Sequence, residues 1–132
     1  MQTCGCKLKI ITESGGESAL FCSDGVFERS EKGGKVRYEI EGDEAELVFS
    51  DTALENRRFG KCGLEVRFTE GEKTVMKLGT SPLIGEILVR TVFYRLYQDE
   101  TEKRMELRYE LFGAENIQTF SLKIQLFFSE EK

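Results

Sequence analysis

The residues that first suggest chemistry are thiols. Cys4 and Cys6 stand one residue apart, and Cys22 and Cys62 follow at wide intervals. Thiols bind soft metals, cycle as redox pairs, or fill cores as small apolar groups. Strand geometry weighs against the metal, because side chains at i and i+2 run parallel and ~6.6 Å apart. Two thiolates on one zinc, with bonds of about 2.3 Å, must approach within about 4 Å of each other. No CxxC motif and no helix start is present to activate a thiol. Histidine, the commonest metal ligand and general base, is absent from the chain. The sequence therefore predicts Cys4, Cys6 and Cys62 as reduced core residues, in register with Leu8, Ile10 and Leu64. Cys22 follows Leu20 in the same inward rhythm. No metal and no cofactor is expected.

The second constellation is a run apolar on both faces, Glu86 to Tyr97, which carries Arg90 and Arg95 on opposite sides. Strict alternation turns one of these arginines into an apolar interior, where it needs an anionic ligand or a carboxylate. With Tyr38 and Tyr109 it would supply the polar handles of a binding site, so Tyr38, Arg90 and Tyr109 are the candidate ligand-binding residues. The outer face of the same strand, Ile87, Val89, Phe93 and Tyr97 or the alternate Leu88, Val92 and Leu96, is the candidate interface. The cover expected there is a second copy of the chain or its own segment Asp51 to Phe59. Carboxylates are abundant but alternate with apolar residues, the pattern of a solvated face, and no catalytic set stands out.

These residues must be held by strands. Val36, Tyr38 and Ile40 alternate with Arg37, Glu39 and Glu41; Leu64, Val66 and Phe68 with Glu65 and Arg67. The same rhythm runs from Met105 to Leu111 and from Phe120 to Leu126, and alternation marks a half-buried strand. Turn residues such as Ser14-Gly15-Gly16, Glu41-Gly42-Asp43 and Glu70-Gly71-Glu72 separate the runs. One short helix is expected near 51–58, from Asp51 or Thr52 as its cap. The economical arrangement is all-β: one domain over 1–132, an antiparallel up-and-down barrel of eight to nine strands whose closure removes its edges.

The 132 residues fit a single core. A net charge of −5 opposes nucleic-acid binding, and the basic run Asn56 to Lys61 reads as a solvated loop. No window is apolar enough for a membrane-spanning helix, and no secretory signal is read at the N-terminus. Reduced cysteines and the missing signal point to a cytoplasmic protein.

Three short motifs add a resemblance: Arg58-Phe59-Gly60, then Phe68-Thr69-Glu70-Gly71, then Thr80-Ser81-Pro82 ahead of Gly85. With the strand order, they resemble the YwiB-like family, an uncharacterised bacterial domain of unknown function. That resemblance implies a calycin-like (lipocalin-type) barrel and supplies no catalytic residues. The sequence departs from the family pattern at Leu83 and Ile84, where an aromatic residue is expected. The function expected is a non-catalytic binding module for an apolar or amphipathic small molecule. The alternative is an interaction module that dimerises or docks through the strand 86–97. A barrel of this size can also be filled by its own side chains, with Phe49, Phe68, Tyr109 and Phe120 as the filling.

Overall fold

Alternation and turn chemistry act together along the whole chain. A computed structural model describes residues 3–80 and 83–128, and in it ten strands follow one another. They are β1 (Thr3–Ser14), β2 (Glu17–Arg29), β3 (Gly33–Ile40), β4 (Asp43–Ser50) and β5 (Ala53–Phe59), then β6 (Gly63–Thr69), β7 (Lys73–Thr80), β8 (Leu83–Gln98), β9 (Glu102–Phe112) and β10 (Ile117–Phe127). Each strand is antiparallel to the next, and β10 returns to β1, so the meander closes into a barrel with no free edge strand. Gly15 and Gly16 both take positive φ, as do Glu41 and Gly42. Two such residues form the tight turn whose twist suits a two-residue hairpin.

The barrel has ten strands rather than eight to nine, and the expected helix near 51–58 is strand β5. Asp51 and Thr52 do not cap a helix. They form the β4–β5 turn, where the Ser50 and Thr52 hydroxyls meet at 3.3 Å. β5 is paired on both sides, Leu54 with Phe49 and Phe68, Asn56 with Leu47 and Val66. A strand so placed satisfies every backbone group between its neighbours, which a single helical turn cannot do.

The turns β1–β2, β3–β4, β5–β6 and β9–β10 lie at one end, the rim, and the turns β2–β3, β4–β5, β6–β7 and β8–β9 at the other, the base. The base is sealed. Phe27 packs 6.2 Å from Phe49 and 5.0 Å, edge on, from Phe128. The Tyr94 hydroxyl donates to the Ser50 carbonyl at 2.7 Å. Gly34 is required there, because a Cβ at that position would overlap the Phe27 ring. Leu8, Leu47, Leu54, Phe68, Met105, Leu107, Ile124 and Leu126 fill the interior. Each large apolar side chain so buried contributes roughly 1.5–3 kcal/mol. Phe49, Phe68 and Tyr109 are buried, with Phe120 packed against the core.

The thiols divide. Cys6 is buried beside Leu8, while Cys4, Cys22 and Cys62 are exposed, and all four are free. Cys4 lies where β1 leaves the core, and Cys62 lies in the β5–β6 turn rather than on β6. Cys22 and Leu20 face outward because β2 runs in the opposite phase, with Phe21 and Phe27 pointing in; Leu20 is 61% exposed.

Candidate functional site

Strand β8 decides where the candidate arginines go. Thr91 pairs with Tyr109 and Phe93 with Arg108, so Val92 is an extra residue, a β-bulge. Before it, Ile87, Val89 and Thr91 point inward; after it, Tyr94 and Leu96 do. The two-faced apolar pattern is therefore one inward series that changes phase. Neither arginine enters the interior. Arg90 donates to Glu110 at 2.9 Å on the outer face, and Arg95 to Glu70 at 2.6 Å. The expected interface face is split as well, Ile87 and Val89 lying inside with Phe93 and Tyr97 outside. Outside, Phe93 has the Arg95 and Arg108 guanidinium groups 5.7 and 5.4 Å from its ring, and Tyr97 has Arg104 at 4.5 Å.

The structure does not bring Arg90 to the tyrosines. Tyr38 and Tyr109 are both buried inside the wall. The Tyr38 hydroxyl donates to Asn56 at 3.4 Å, and the Tyr109 ring lies between Phe68 at 4.8 Å and Phe120 at 5.2 Å. Burial pushes each phenol up to about 12, so both stay neutral. They are packing residues with a polar tip.

The inward arginine is Arg58, on β5. It pairs across β4 with Ala45 and across β6 with Leu64, both inward, at the rim. Its Nε donates to Asp43 at 2.9 Å and its Nη2 to Glu41 at 3.1 Å. Asp43 also accepts the backbone N–H groups of Lys61 at 3.1 Å and Cys62 at 3.2 Å. These donors, the Cys62 amide foremost, hold the Asp43 carboxyl below the ordinary carboxylate range against the opposing effect of burial. Gly60 takes a φ of 126°, and a Cβ there would strike the Asp43 carboxylate. The Thr80 hydroxyl donates to the Lys61 carbonyl and ties the same turn to β7. Arg58 and Asp43 thus clamp the β5–β6 turn and set the position of Phe59.

Beside this clamp lies an open groove of about 500 Å³, spanning β5 to β8 at the rim. Strand phase places Arg57, Phe59, Gly63, Glu65, Lys77, Gly79 and Ile84 on the outer face of the wall, and the inward row Arg58, Leu64 and Leu78 lines the groove from the rim. Gly63 and Gly79 pair directly, so two bare backbones form the floor. Phe59 and Ile84 form the walls and are 52% and 53% exposed. Arg57, Glu65 and Lys77 line the inner end, and Arg57 is held by Glu46 at 3.2 Å. Glycine inside a strand marks a bulge or the close approach of a ligand or another backbone. Here it is backbone, because Gly79 takes a φ of 134° and a Cβ there would strike the Leu83 carbonyl. That signal is legible in the sequence at Gly63 and Gly79, but their cross-strand register is not. Arg58-Phe59-Gly60 and Gly79-Thr80, parts of the motifs that carry the family resemblance, converge here; Ser81 and Pro82 lie outside the described residues. Among the described residues no group of three or more His, Cys, Asp or Glu side chains is placed to hold a metal, and no helix is long and apolar enough to cross a membrane.

No protein-family model matches the sequence, and no curated protein does. In fold the chain is similar to the ywiB protein of Bacillus subtilis, known from its crystal structure. The TM-score is 0.76 at 18% sequence identity, over 97% of this chain and 92% of that one. At that identity the likeness is one of fold, and it agrees with the YwiB-like resemblance and the antiparallel barrel read from the sequence.

Proposed function

We propose that this protein is a non-catalytic binding module whose ligand, an apolar or amphipathic small molecule, seats in the groove between Phe59 and Ile84 rather than in the lumen. One observation carries the reading. Buried apolar side chains from every strand pack into one core cluster inside the barrel, whereas the rim holds a groove of about 500 Å³ with two exposed apolar walls. Small-molecule sites run to about 300–1,000 Å³ and combine an apolar lining with a few polar groups. Phe59 and Ile84 supply the apolar contact, and Arg57, Glu65 and Lys77 supply the polar end. The calycin-like resemblance supports the reading by analogy of fold, since such barrels often take small apolar molecules. The absence of histidine, the commonest general base, favours binding over catalysis.

The test uses anilinonaphthalenesulfonate, an aromatic anion whose fluorescence rises in apolar sites. Saturable binding to the wild type is expected, weakened at least about tenfold by Phe59→Ala combined with Ile84→Ala, a loss of about 1.4 kcal/mol. Both side chains are half exposed, so the fold persists in the variant. Equal binding by wild type and variant overturns the assignment.

A further inference from the structure

The phase of β7 to β10 places four apolar residues in one row across the outer wall. Val75 pairs with Leu88, Leu88 with Phe112, and Phe112 with Ile117. Their neighbours Met76, Val89 and Leu111 belong to the core, so the four point outward. Val75, Leu88 and Ile117 are 46%, 39% and 56% exposed. The next row toward the base reads Lys73, Arg90, Glu110 and Thr119. Beyond it the bulge exposes Val92 and brings Phe93 opposite Arg108. A connected apolar row of this kind, rimmed by charge, marks a contact surface more often than a wetted one.

We infer that this face joins a second copy of the chain about a two-fold axis parallel to the strands and midway between β8 and β9. Charge and register select that partner. The rotation sets β8 against the partner subunit's β9 and β7 against its β10, at unchanged height. Leu88 then meets a phenylalanine, the equivalent of Phe112, and Val75 meets an isoleucine, the equivalent of Ile117. Arg90 meets the equivalent of Glu110, and Phe93 the equivalent of Arg108. The intrachain pair Arg90–Glu110, 2.9 Å long, becomes half of a four-membered cluster of alternating sign. An axis along the row instead would set Lys73 against the equivalent of Lys77. A self-complementary patch closes on itself as a dimer, and a stable one buries about 800 Å² per partner, which requires the apolar row together with its flanking charges.

Sedimentation equilibrium at micromolar concentration tests the surface separately from the groove, which sedimentation does not report. The wild type is expected as a dimer. Leu88→Glu and, on another strand, Ile117→Lys are each expected to raise the dissociation constant at least about a hundredfold, with the circular dichroism spectrum unchanged. Arg90→Glu alone weakens the dimer, and Arg90→Glu with Glu110→Arg restores it, because the exchanged charges meet again across the axis. A monomeric wild type, a dimer indifferent to both apolar-row variants, or a charge exchange that fails to restore association overturns the inference.

Discussion

Glu70 accepts the Tyr94 backbone N–H at 2.9 Å and the Arg95 guanidinium at 2.6 Å, and so holds β8 where its phase changes. The same turn exchanges two further bonds with Thr91, Gly71 donating to its carbonyl at 2.8 Å and Thr91 donating to the Glu72 carbonyl at 3.1 Å. The Tyr94 amide, then Arg95, lowers the Glu70 pKa from its ordinary 4.5. A carboxyl whose folded pKa is lowered stabilises the fold fully above its unfolded value and loses that contribution as pH falls through the folded value. Thermal melts of wild type and Glu70→Gln are therefore expected to differ most above pH 4.5 and to converge in acid. A difference that grows on acidification contradicts this role for Glu70.

How much of this was legible in the sequence depended on where each strand stands. β6, β9 and β10 carry apolar residues inward along most of their length, and alternation alone located them. β5 hid because it turns Asn56 and Arg58 inward near the rim, where polar side chains reach a carboxylate and a phenol. Its sequence therefore lacks an apolar stripe, and Asp51-Thr52 imitates a helix cap. β8 misled for another reason. The bulge at Val92 is imposed by the β6–β7 turn, a partner some twenty residues away, so no local pattern announces it. The expectation that Arg90 or Arg95 turns inward fails with the bulge, and the inward Arg58 lies in the run read as a solvated loop. In β2, Leu20-Phe21-Cys22 fits either phase until the register with β1 selects Phe21.

The filled interior and the phase of β2 can be checked by truncation. Leu47→Ala removes a side chain with no exposed surface and is expected to cost about 2–5 kcal/mol in urea unfolding. Leu20→Ala, on the outward face, is expected to stay within about 0.5 kcal/mol. Similar costs for the two would contradict the assigned faces.

The thiols give a direct count. Cys4, Cys22 and Cys62 are exposed and are expected to react with a disulfide reagent in the native protein. Burial pushes Cys6 up to about 11, so it is expected to react only on unfolding. Four fast thiols would show that β1 does not pack as described, and a single fast one that Cys22 and Cys62 are covered.

The groove is tested most directly by nuclear magnetic resonance of the labelled protein titrated with dodecanoate, an amphipathic anion with an apolar tail. The largest amide shift changes are expected at Arg57 to Phe59, Gly63 to Glu65, Lys77 to Gly79 and Ile84, the residues that line the groove. Changes centred instead on the interior residues Tyr38, Tyr109 and Phe120, or no changes at all, would contradict a binding module that works through its rim.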